Sequence, residues 1–119
     1  MTEAQAQLRK APRVTVVTPT FNQADLLPLT ARSVCDQTWR DLEYLILDDG
    51  STGDTAAVMR QLRDPRVACL RHENRGEAAT TNRGWAMARG AYFAILSSDD
   101  LVKPRWLECM VRFMDENPD

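Results

Sequence analysis

Residues 43–55, EYLILDDGSTGDT, decide the fold of this 119-residue chain. Tyr44 to Leu47 form a continuous apolar run, which marks a strand covered on both faces, whereas one face in water would give alternation. The run ends in Asp48, Asp49, Gly50 and Ser51, all turn formers. Asp54 is placed to cap a helix through about Leu62, and DPR (64–66) breaks it. A buried strand, a tight turn and a capped helix make the first half of a β-α-β unit.

The same sentence repeats on either side. VTVVT (14–18) is β-branched and reads as a strand ended by Pro19, which lacks the N–H of a central ladder. Asp25 then stands as an N-cap, with Leu27, Ala31, Val34 and Cys35 on one helical face and Pro28 in the first turn. VACL (67–70) is a short third strand, followed by a helix within NRGEAATTNRGWAMARG (74–90). Gly84 inside that helix costs about 1 kcal/mol relative to Ala, so a close packing contact is expected there. Gly90 stands as the left-handed residue after the helix. AYFAIL (91–96) is the fourth strand, and Pro104 opens a last helix whose Leu107, Met110, Val111 and Met114 share a face. Four strand-helix repeats with continuous apolar strands predict an α/β fold, a Rossmann-like parallel sheet with helices on both faces. Residues 1–12 are polar and read as a flexible tail, leaving 13–119 as one domain.

Composition narrows the function. A net charge of −2 offers no electrostatic case for nucleic acid or an anionic membrane. Thirteen Arg stand against two Lys, which suits phosphate binding but also follows from GC-rich coding. Cys35, Cys69 and Cys109 are odd in number, far apart and set among apolar neighbours, as buried thiols of a reducing compartment are. MTEAQAQLRKAP has no apolar core of a secretory signal, and no window reaches the length of a membrane span. The expected location is the cytoplasm.

In an open parallel sheet, ligands sit beyond the carboxyl ends of the strands. Three polar clusters fall there: PTFN (19–22), DDGS (48–51) and SSDD (97–100). DDGS alone reads as a tight turn, but Asp99 and Asp100 precede Pro104 by four residues or more, too early for a helix cap. Adjacent carboxylates tolerate each other when a cation neutralises them. A hard ion such as Mg²⁺ or Mn²⁺ takes one or two protein carboxylates and completes its shell with phosphate oxygens and water. With no Walker loop, no GxGxxG and no His or Cys cluster, a metal–diphosphate complex is the ligand these clusters fit.

These clusters, in this order and spacing, resemble the nucleotide-binding half of a family 2 glycosyltransferase of the GT-A fold. The matching segments are VTVVTPTFNQADLLPLTARSVCDQTW, EYLILDDGSTGDT and ENRGEAATTNRGWAMARGAYFAILSSDDLVKPRWLE, together about residues 13–116. The resemblance implies that Pro19 and Thr20 approach the nucleoside while Phe21 and Asn22 shape the turn. It gives Asp49 the nucleobase contact and makes Asp48 its structural partner. Asn82 and Gly84 fit the family's Asn-x-Gly helix, whereas Thr81 stands where Arg is common, so a cation contact is either missing or supplied by Arg83. Ser97 replaces the first acid of the family's acid-x-acid-acid signature, so Ser97 or Ser98 offers the ribose only a neutral hydrogen bond. Asp99 and Asp100 remain as metal ligands for Mn²⁺ or Mg²⁺, with Asp100 the first choice.

The implied activity is transfer of a sugar, most often from a UDP-sugar, to an acceptor hydroxyl with inversion. The general base and acceptor residues of the family lie beyond residue 119, so the chain reads as an N-terminal half, inactive alone. Its bared fourth strand is expected to self-associate. The alternative is a non-catalytic nucleotide-binding or assembly module of the same fold. A phospho-acceptor receiver domain fits poorly, because its acidic pair follows strand one, where this chain has PTFN. His72 reads as a solvated loop residue, and Trp39 as packing beneath the turn before strand two.

Overall fold

A computed structural model describes residues 11–118; residues 1–10 of the expected tail lie outside it, and Pro12 is buried. The elements alternate as expected: β1 (Val14–Thr20), α1 (Leu27–Cys35), β2 (Leu42–Asp49), α2 (Thr55–Arg60), β3 (Val67–His72), α3 (Glu77–Met87), β4 (Tyr92–Ile95) and α4 (Trp106–Glu116). All pairings are parallel, in the order β3-β2-β1-β4.

The strand parity divides the core into two. Val14 and Val16 of β1 and Leu42, Tyr44 and Ile46 of β2 meet Leu27, Ala31 and Val34 of α1 on one face. Met59 of α2 and Leu107 and Val111 of α4 complete that face. Val17, Leu45 and Leu47 point the other way, with Leu70 and Phe93 against them. Among the described residues, α3 is the helix that covers this face. A Cβ at Gly84 would lie 2.6 Å from Val17 Cγ1 and 3.2 Å from Leu47 Cδ1. The expected close contact is therefore real: glycine lets α3 settle directly onto β1 and β2.

Several local readings need correction. β1 does not stop before Pro19 but runs on, with Pro19 beside Leu47. In a parallel strand, alternate residues turn their N–H and C=O to alternate neighbours. Val17 C=O accepts from Leu96 N–H on the β4 side, so Pro19 faces that side too, where the β1–β4 ladder has already ended at Ile95. The missing donor leaves no bond unmade. Asp25 is not the α1 cap, since Leu26 holds that position, and Asp54 stands at the start of α2 without a side-chain cap bond. α2 ends at Arg60, short of Leu62, and α4 starts at Trp106, two residues after Pro104. Gly90 lacks a positive φ, unlike Gly50, Gly53 and Gly76. It is glycine because a Cβ would lie 2.6 Å from Thr15 N.

The end of the sheet opposite the site is tied by charge. Thr15 hydroxyl and Arg89 N–H both donate to Glu43 Oε2, and Arg89 Nε donates to Oε1 at 3.1 Å. Trp39 packs at the core edge and donates to Asp41 C=O just before β2. Arg66 donates to Asp64 at 2.7 Å and to the last carbonyl of α1, Cys35 C=O, at 2.9 Å. Hydrogen bonding from Arg66 holds the Asp64 carboxyl at about 2, against the opposing effect of burial. A depressed folded pKa stabilises above the unfolded value near 4 and is lost as pH falls towards 2. Asp64→Asn should cost about 2 kcal/mol in urea unfolding at pH 7. The gap to wild type should narrow steadily between pH 4 and 2; a constant gap would rule out the ion pair as its source.

Candidate nucleotide site

The strand order turns around between β1 and β4, where chain direction along the sheet reverses and the strands part. Such a switch point leaves a crevice beyond the carboxyl ends. A cavity of about 330 Å³ fills it. Pro19, Thr20, Phe21 and Gln23 form one wall, Asp49, Asn74, Gly76 and Glu77 the second, and Ser97 and Ser98 the third.

The two acids of the DDGS turn point to opposite faces, as adjacent strand residues must. Asp48 is fully buried, and its Oδ1 accepts Ser51 N–H at 3.0 Å, closing the turn over Gly50 at φ +77°. Asn22, itself at φ +53°, straps this turn to the end of β1. Its N–H donates to Ser51 Oγ at 2.8 Å, and its Oδ1 accepts Thr52 N–H at 2.9 Å. Asp48 and Asn22 thus shape the wall from behind.

Asp49 faces the cavity. Its Oδ1 accepts Arg75 N–H at 2.8 Å and approaches His72 Nε2 at 3.0 Å, and its Oδ2 accepts Gly76 N–H at 3.0 Å. Burial alone would raise this carboxyl, yet bonds from Arg75, His72, Thr80 and Gly76 hold it below the ordinary value. It is an ionised acceptor at neutral pH, and it fixes the 73–76 loop that forms its own wall.

Ser98 closes the third wall, its hydroxyl bonded to Gln23 Oε1. Thr30 on α1 donates to both Ser98 C=O and Asp100 C=O, so the SSDD turn is lashed to the helix behind it. Asp99 and Asp100 follow at the lip, both exposed. Asp100 N–H closes the turn onto Ser97 C=O at 3.1 Å. Among the described residues, neither carboxylate has an ion-pair or hydrogen-bond partner, and no group of three or more His, Cys, Asp or Glu gathers around a point. A site at the lip would be the sparse kind, in which ligand oxygens and water supply most of the shell.

The other expected residues lie apart. Asn82 is exposed on α3, and Gly84 serves the helix–sheet contact, so neither lines the cavity. His72 is no solvated loop residue. It ends β3 directly opposite Asp49, its side chain only 5% exposed. The alternation Ala68, Leu70, His72 already put it on the face of Asp49. Gln23 and Glu77 line the cavity without having been singled out, because a loop and a helix start carry no periodic signal.

Comparison with known proteins agrees with this geometry. The glycosyl transferase family 2 profile matches residues 15–119. The glycosyltransferase GlyG of Streptococcus pneumoniae is 33% identical over 87% of this chain and 35% of its own length. The putative teichuronic acid biosynthesis glycosyltransferase TuaG of Bacillus subtilis is 38% identical over 88% of this chain and 43% of its own. The chain therefore spans less than half the length of these relatives. Among solved structures, S. aureus TarS 1–349 in complex with UDP superposes with a TM-score of 0.83 at 22% identity, over 89% of this chain and 33% of that one. The mannosyltransferase PcManGT from Pyrobaculum calidifontis, in complex with GDP-Man and Mn²⁺, gives 0.79 at 27%, over 93% and 37%. A parallel sheet with an acid-lined crevice at its switch point and a profile match across nearly the whole chain lead to one assignment: the chain belongs to glycosyltransferase family 2.

Proposed function

We propose that the cavity holds the nucleoside diphosphate of a sugar donor, a UDP-sugar first, with Mn²⁺ or Mg²⁺ at Asp99 and Asp100. The full enzyme would then transfer the sugar to an acceptor hydroxyl with inversion. The observation that carries this reading is the partner-free acidic pair at the lip of a cavity whose inner wall is the ionised Asp49. Two structural relatives, solved with UDP-GlcNAc and with GDP-Man and Mn²⁺, support the ligand class.

In this reading Asp49 accepts an N–H from the base, and Pro19, Thr20 and Phe21 flank the nucleoside. Ser97, neutral where an acid is common, or Ser98 beside it offers the ribose one hydrogen bond. A bound divalent ion would supply Lewis-acid stabilisation of the leaving diphosphate. Asn22 and Asp48 keep the walls in place, and Asn82, exposed on α3, is left to a later part of the donor. The base that takes the acceptor proton belongs outside these 119 residues.

Calorimetry tests the site. Mn²⁺ should tighten UDP by about 1–3 kcal/mol, the usual range for linked sites, and tighten UMP much less. Asp100→Asn should remove most of that gain and leave metal-free affinity nearly unchanged. Equal UDP affinity with Mn²⁺ and with a chelator would sink the metal site. The 119 residues alone should glycosylate no acceptor; measurable transfer would place the base inside them.

We also propose that the β4 edge pairs with another chain. Among the described residues, β4 has β1 as its sole neighbour in the sheet, and Ile95 on it is 49% exposed. Such an edge with an apolar face is a template for a further strand. Sedimentation of the 119-residue chain should show a dimer or larger species, and a clean monomer at high concentration would count against it.

A further inference from the structure

His72 is the only histidine in the chain, and both its ring nitrogens are engaged. Nδ1 stands 2.7 Å from Arg83 NH1. A guanidinium only donates, so Nδ1 must accept and carry no proton. The ring proton is left to Nε2, which stands 3.0 Å from Asp49 Oδ1 and 3.0 Å from Thr80 Oγ1. Thr80 spends its own hydroxyl proton on Gly76 C=O at 2.9 Å, so the threonine oxygen can also receive from His72. A neutral imidazole thus links the carboxylate of β2 to the guanidinium of α3, with side-chain exposures of 5% for His72 and 6% for Asp49.

We infer that His72, locked in its Nε2–H tautomer by Arg83, is a positioning residue that aims the Asp49 carboxylate into the nucleotide cavity. The assignment rests on the nucleotide reading of that cavity. An ionised carboxylate offers about four acceptor sites. Arg75 N–H and His72 Nε2–H take those of Oδ1, and Gly76 N–H takes one of Oδ2. The remaining site meets only Asn74 Nδ2, at 3.3 Å, a donor shared with Asp49 C=O at 3.1 Å. That long, shared bond is the one a ligand's donor would displace. Without His72, Oδ1 keeps Arg75 N–H and Oδ2 keeps Gly76 N–H, but the carboxylate loses its side-chain donor and its aim towards the base loosens.

Arg83 acts here through the ring. The cation expected to compensate for Thr81 is engaged at His72 Nδ1.

The test joins a spectroscopic signature to binding. Long-range ¹H–¹⁵N spectra of the wild-type chain should show an acceptor-type Nδ1 and a protonated Nε2, and Arg83→Met should convert this to a mixture of tautomers. UDP titrations of folded variants, with folding checked by circular dichroism, should show His72→Leu binding about ten-fold more weakly. His72→Gln places an amide donor near the Nε2 position and should recover most of the affinity. An Nδ1–H tautomer in the wild type would overturn the lock. Unchanged UDP affinity in His72→Leu, or equal losses in the Leu and Gln variants, would overturn the positioning role. If wild type itself bound no UDP, the nucleotide reading would fall, while the tautomer would still decide the lock.

Discussion

Gly90→Ala should destabilise the domain by about 3 kcal/mol or more, a loss at the top of the range for overpacking. Its Cβ would lie 2.6 Å from Thr15 N and 2.7 Å from Val14 C. Those are backbone atoms of β1, which is paired on both sides and cannot retreat. Moving the 88–90 segment away instead breaks Gly90 N–H to Thr15 Oγ1 and loosens Arg89 from Glu43. Glu43 is held below its ordinary pKa against the effect of burial, by Thr15 and Arg89, so losing those donors strands a buried charge. Urea unfolding measures the effect. A loss below about 0.5 kcal/mol, the scale of ordinary surface substitutions, would show that the segment can yield.

Asp49→Ala should weaken UDP binding by about 1–3 kcal/mol, roughly ten- to one-hundred-fold, with or without metal. Two losses combine in that figure. On the proposed reading the base would lose its acceptor, and the N–H groups of Arg75 and Gly76 lose the carboxylate that orders their loop. Asn74→Ala probes the second, because it removes the Nδ2 donor shared by Asp49 C=O and Oδ2 while keeping the carboxylate itself. A folded Asp49→Ala variant with unchanged UDP affinity would remove Asp49 from the site.

The fold was legible where burial dictates residue type. β1 and β2 are buried along their whole length, so each had to carry a mainly apolar run. Convergence of PTFN, DDGS and SSDD was legible too, since a parallel sheet sends every strand-end turn to one rim. Gly90 was misread because a left-handed backbone and a close backbone approach both exclude a Cβ, and sequence cannot separate the two demands. Pro19 was misread because its harmlessness depends on β4 diverging one residue earlier. His72 was missed through strand length: Arg71 and His72 look like a loop, yet both remain paired with Asp48 and Asp49. Within the site, the turns were readable and the direction of each side chain was not. Asn82 and Gly84 fit a motif, but helix packing turns Gly84 to the sheet and leaves Asn82 in solvent.

The strand order also sets an order of events in time. β1, β2 and β3 emerge in sequence, and each pairs with one already made, so three strands can assemble while the chain is still being synthesised. β4 comes last and must reach back to β1: Arg13 and Tyr92, which meet side chain to side chain, are 79 residues apart. Closing so long a loop is slow, because its entropy is lost before the contact forms. The third wall of the cavity, Ser97 and Ser98, therefore arrives only with the slowest pairing of the sheet. Nucleotide should bind no early folding species, and ligand capture becomes a clock for the final step.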